Sequence, residues 1–150
     1  MTAINHALTG ALIGFSVSNP LLAIVLAFVS HFILDSIPHF GKQDGGDKWL
    51  KSKTFKSMLI VDAGLCFLLV VLISVNHPLN YILAAVCAFV AASPDLFSIN
   101  RFYSVINNKK WKPNLYTKFA GGIQWFEKPI GAAVEITWFL IMAVSVGLFI

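Results

Sequence analysis

Residues 20–39 read PLLAIVLAFVSHFILDSIPH. From Leu21 to about Ile37 the run is apolar and lacks the period-2 alternation of a half-buried strand. Its length is close to the ~20 residues that a helix needs to cross a bilayer core. Its second half nevertheless carries His31 and Asp35, with His39 just beyond. Titratable groups inside such a run are costly in lipid, so they are expected to face the interior of a helix bundle and to carry function.

The whole chain shares this character. Of its 150 residues, 57% are hydrophobic and 12% charged, the charged share being about half the ~25% of soluble domains. Mean hydropathy is +0.77. This composition excludes a disordered chain, a solenoid of charged helices and an ordinary nucleic-acid-binding domain. Four more apolar stretches can be read: Thr2 to Ser18, Met58 to Val75, about Leu79 to Phe97, and Pro129 to Ile150. Asn19-Pro20 and Asn76-His77-Pro78 separate neighbouring stretches, and Pro129 is a favoured helix opening. Lys42 to Lys56, with Gly45-Gly46, is too polar to span. No basic residue precedes Lys42, so a cleaved signal peptide is not expected. Cys66 and Cys87 lie inside apolar stretches and read as small buried hydrophobes. The expectation is one all-α integral membrane domain. It is a polytopic transmembrane bundle of about five helices, the first short or re-entrant.

The charges orient it. All eleven basic residues fall between Lys42 and Lys56 or in a basic, aromatic segment at about 99–128. With five spans both segments lie on one side, which the positive-inside rule makes cytoplasmic, together with the N-terminus. Trp49, Trp111 and Trp125 flank the spans on that side, as interfacial tryptophans do. The net charge of +4 therefore describes a membrane face, and no nucleic-acid partner is expected.

The ionisable residues within the stretches are His6, His31, Asp35, Asp62, Asp95 and Glu135, with His39 at the edge. If the first two stretches form a hairpin at Asn19-Pro20, His6 lies level with about residue 33, between His31 and Asp35. A second hairpin near His77 sets Asp62 level with about residue 93, close to Asp95. Glu135 enters the last helix about one and a half turns from the basic side. All fall in the cytoplasmic half. On a continuous helix His31, Asp35 and His39, at i, i+4 and i+8, share one face to within about 40°. Imidazole and carboxylate at that spacing suit a borderline metal such as zinc, although each lone histidine also fits as a satisfied polar residue. His77, beside a proline turn, reads as a surface residue. Asp62 fits a metal or catalytic role, or snorkels toward Lys56. Asp95 fits the same roles, or caps a short helix. Glu135 fits a general base, a ligand or a lysine partner. Several carboxylates crowded at low dielectric favour a cation among them.

Asn5-His6-Ala7-Leu8-Thr9-Gly10, Ser30-His31-Phe32-Ile33-Leu34-Asp35 and Ser93-Pro94-Asp95-Leu96-Phe97 resemble segments of the bacterial membrane-bound metal-dependent hydrolases. Those carry T/N-H-x-x-x-G, S-H-x-x-x-D and P-D-hydrophobic-D on transmembrane helices. Phe97 stands in the place of the second aspartate, and no H-R-G-x-T-H segment is present. The H-x-x-x-D-x-x-P-H run is also similar to a zinc-binding region of the phospholipase C and P1 nuclease group. The resemblance implies a metal held by His6, His31, Asp35, His39 and Asp95, and a location in the bacterial inner membrane.

The leading expectation is a membrane-embedded metal-dependent hydrolase acting on a phosphate ester or lipid at the cytoplasmic face. Its cofactor is a divalent metal, zinc first. Asp62 or Glu135 is the base, and lysines with Trp111 hold an anionic headgroup. Its partners are membrane lipids. A metal-ion or proton transporter using the same cluster is the alternative, less favoured because the opposite half of the chain offers few polar groups. A non-enzymatic scaffold binding a partner or anionic lipid is the third reading.

Overall fold

A computed structural model describes residues 1–41, 46–76 and 81–150. Lys42, the Gly45 end of the polar turn, and His77 with Pro78 lie outside the described residues. Among the described residues the chain is all-helical, apart from an isolated parallel bridge between His39 and Glu127. The order is α1 (Ala3–Ser16), α2 (Pro20–Ser36), α3 (Gly46–Lys51), α4 (Lys53–Asn76), α5 (Tyr81–Ala92), a 3-10 helix (Ser93–Ser98), α6 (Ile99–Ile106), α7 (Leu115–Ile123) and α8 (Gly131–Gly147).

Local chemistry sets several of these boundaries. Asn19 Oδ1 accepts from Leu22 N at 3.1 Å, and Pro20 opens α2 at a position where its missing N–H costs nothing. At the other end Pro38 disfavours helical geometry for Ile37, which is extended at φ −87° and ψ 162°. The helix therefore stops at Ser36, and the i+8 register that would carry His39 on the same face is lost. The fourth apolar stretch is also not one regular helix. Pro94 lies in the tighter 3-10 turn, and this turn carries Asp95.

The short α1 sits at the centre, enclosed by α2, α4, α5 and α8. It meets α5 through small residues: Gly10 and Gly14 face Cys87 and Ala84, with Ala7, Ala11, Ala88 and Ala91 buried alongside. A Cβ on Gly10 would lie 2.3 Å from the Cys87 carbonyl oxygen, and one on Gly14 would lie 2.5 Å from Ala84 Cα. Two glycines four apart thus let two backbones touch, a common device where helices pack without a hydrophobic driving force. Polar ties join α1 to α8: Trp138 Nε1 donates to Thr9 Oγ1 at 3.0 Å, and Asn5 Nδ2 donates to the Glu135 carbonyl at 3.2 Å.

The interior is unusually polar and the exterior unusually apolar. Asn5, His6, His31, Asp35, His39 and Glu135 are buried, whereas Leu21, Ile33, Ile60, Phe67, Phe89 and Val144 are exposed. The helix Lys53–Asn76 and the combined run Tyr81–Ile106 are long and apolar enough to cross a membrane; Pro20–Ser36 and Gly131–Gly147 are shorter apolar helices. At one end α3 packs on α6, and Lys51 Nζ donates to Asn108 Oδ1 at 2.6 Å, so the two basic segments meet there. At the other end Phe15 stacks on Phe149 and meets Tyr81 edge-on, at centroid distances of 5.1 and 5.0 Å.

The close α1–α5 contact is testable in detergent by thermal unfolding. Gly10→Val is expected to cost about 1–3 kcal/mol by overpacking. Gly64→Ala, on α4 with nothing within 4 Å of the new Cβ, is expected to be neutral or stabilising by up to about 1 kcal/mol. Equal melting of Gly10→Val and the parent would contradict the packing.

Candidate metal centre

Two helices and the 3-10 turn bring four predicted residues together at the end where the basic segments meet. His6 comes from the first turns of α1, His31 and Asp35 from the last turns of α2, and Asp95 from the turn after α5. The α1–α2 hairpin at Asn19-Pro20 sets His6 beside His31 and Asp35. One donor atom each from His6, His31 and Asp95 lie within 4.8 Å of one another. His31 Nε2 is 3.8 Å from Asp95 Oδ1. Asp35 lies against both imidazoles, with Oδ1 3.1 Å from His6 Nε2 and Oδ2 3.4 Å from His31 Nε2. The two rings stack with centroids 4.1 Å apart.

The surroundings aim these groups. His31 Nδ1 donates to the Ala91 carbonyl at 2.9 Å, which leaves the Nε2 lone pair facing the cluster. Asp35 also accepts from Gln124 Nε2 at 2.9 Å and from the Met1 amino group. His6 Nδ1 is buried with no hydrogen-bond partner among the described residues. A set of two imidazoles and two carboxylates, all but Asp95 buried, is a suitable donor set for a borderline divalent cation. Donors on a tetrahedral zinc lie ~3.4 Å apart, given bonds of ~2.1 Å. The imidazole–Asp35 distances already match that spacing. Asp95 is the least enclosed of the four, its side chain being 40% exposed.

The other predicted residues lie elsewhere. His39, beyond the end of α2, is buried with Nδ1 donating to the Ile37 carbonyl at 2.9 Å and Nε2 3.7 Å from Glu127 Oε1. Its backbone seats the α7–α8 connection: Lys128 N donates to its carbonyl at 3.1 Å, and a Cβ on Gly131 would lie 2.1 Å from its carbonyl carbon. Asp62 accepts from Ala3 N at 2.7 Å and Ile4 N at 2.9 Å. It caps the start of α1 from α4, because the Thr2 side chain at the N-cap accepts from Asn5 Nδ2 at 2.9 Å and makes no capping bond to a backbone N–H. Glu135 Oε1 accepts from Phe40 N at 3.2 Å. Neither Asp62 nor Glu135 reaches the cleft beside the cluster, so both expected bases are placed in backbone-binding positions instead.

That cleft, about 50 Å³, is lined by His31, Asp35 and Asp95 on one side and by residues of α6, α7 and the segment between them on the other. Arg101, Tyr116 and Gln124 belong to this wall and were not singled out by sequence reasoning. A signal was present: Asn114 Oδ1 accepts from Thr117 N at 2.8 Å, an N-cap that starts α7 and puts Tyr116, Ala120 and Gln124 at i, i+4 and i+8. Tyr116 Oη donates to the Pro94 carbonyl at 2.9 Å. Burial, and then the charges of Asp95 and Asp35, hold its phenol above the usual range, so it stays protonated and keeps this bond.

His31→Ala is expected to lower bound divalent metal from about one ion per chain to near zero, with helix content by circular dichroism unchanged. Asp62→Asn is expected to keep the metal and lose about 1–2 kcal/mol of stability, since only the α1 cap is weakened. Metal analysis of the purified variants checks both. Comparison of the chain with family models, with curated proteins and with solved structures finds no match.

Proposed function

We propose that this chain is an integral membrane, metal-dependent hydrolase whose site opens at the basic face of a helical bundle. The observation that carries the reading is the convergence of His6, His31 and Asp95 donors within 4.8 Å, with Asp35 against both imidazoles. These four residues are the proposed ligands, and zinc is the first candidate by donor type. When bound, such a cation polarises an ester oxygen and acidifies water. The chain's own groups prepare the site. The Ala91 carbonyl fixes the His31 tautomer, Gln124 orients Asp35, and the protonated Tyr116 ties α7 to the Asp95 turn.

The membrane assignment rests on the inverted polarity. Large apolar side chains cover the outside of α2, α4, α5 and α8 while carboxylates and imidazoles fill the inside. The short hydrolase-like motifs support a bacterial inner-membrane location by resemblance. A transporter is less favoured. A transit path needs polar groups at both ends, and the end away from the cluster is occupied by the Phe15, Tyr81 and Phe149 ring cluster.

Carbonate-washed membranes are expected to retain the protein. The purified, metal-loaded chain is expected to hydrolyse a generic phosphate ester or phosphodiester, and chelation or His31→Ala is expected to lower the rate by roughly 100-fold or more. Metal-loaded protein that turns over no ester, but moves the ion across vesicles, would replace the hydrolase by the transporter.

A further inference from the structure

Building on the metal-centre reading, we infer that the cleft binds a phosphoryl group through Arg101. Arg101, in α6, is the only arginine of the chain and lines the same cleft as His31, Asp35 and Asp95. Its guanidinium lies over the Trp111 ring, 5.5 Å from the centroid. Such a cation–π contact holds the guanidinium without supplying a hydrogen-bond acceptor for its N–H groups. Among the described residues no carboxylate pairs with Arg101, although two line the cleft. The Ser98 hydroxyl beside it is likewise uncommitted, and Gln124 Nε2 has a second N–H beyond the one it gives Asp35.

The occupant follows from charge and shape. Unpaired donors led by a guanidinium fork call for an anion with several acceptor oxygens. Asp35 and Asp95 would repel that anion until a cation offsets them, so binding requires the metal. A carboxylate has two oxygens and uses both on the fork. A phosphoryl group keeps further oxygens to turn toward the opposite wall. The cleft volume of about 50 Å³ is several times the ~10–15 Å³ that holds one water. It admits a phosphoryl group and leaves the rest of the molecule outside.

The probe is inorganic phosphate, its binding to the metal-loaded protein in detergent measured by equilibrium dialysis. Wild-type protein is expected to bind it only when loaded. Arg101→Gln is expected to weaken it roughly 10- to 100-fold at unchanged metal content, and Arg101→Lys to recover part of the loss. Short-chain phosphatidic acid and glycerol phosphate are then added as competitors. Displacement by either supports the assignment, and the stronger one distinguishes a lipid source from a soluble one. A chain that holds no metal overturns the underlying reading. A metal-loaded chain that ignores phosphate, binds it equally with Gln at 101, or releases it to neither competitor overturns this assignment alone.

Discussion

The carboxylate of Asp35 is the constraint around which the rest of the structure is arranged. It is almost fully buried, and a buried charge persists only when partners surround it. Here they come from three directions: His6 and the Met1 amino group on α1's side, His31 one turn earlier on α2, and Gln124 at the end of α7. These partners come from three elements, so satisfying one carboxylate ties α1, α2 and the end of α7 together. The same demand leaves two imidazoles and a second carboxylate beside it, which is the arrangement a cation completes.

The bundle accommodates this interior by close packing at its centre. Gly10 and Gly14 bring α1 against α5 at backbone distance, which places the Ala91 carbonyl within reach of His31 Nδ1. Asp62 supplies the cap that Thr2 does not, and so holds the start of α1 where His6 must stand. Packing and polar satisfaction are therefore one problem here, solved by small residues on one side of α1 and borrowed acceptors at its end.

Much of the site could be read by counting residues from the turns. The level of His6 between His31 and Asp35, and the presence of Asp95 at the same end, follow from helix rise and alternating direction. His39 could not be placed this way. Periodicity extends a helix that Pro38 ends, and the ring turns instead to Glu127. Asp62 illustrates a second limit. A carboxylate in an apolar run signals a demand for partners, but whether these are a metal or two backbone N–H groups depends on which helix end lies opposite.

The sequence by itself determined the helical class, the gathering of the basic residues in two segments and the shared level of His6, His31, Asp35 and Asp95 along the helices. These depend on local periodicity, chain breaks and the distribution of charge, which are properties of neighbours along the chain. Only the tertiary structure decided which of those groups meet, which serve as caps, and that Arg101, Trp111 and Gln124 wall the cleft. The reason is physical. Those roles depend on the azimuth of each helix and on the return of α6 and α7 over the bundle end, and both are set by packing between segments far apart in sequence.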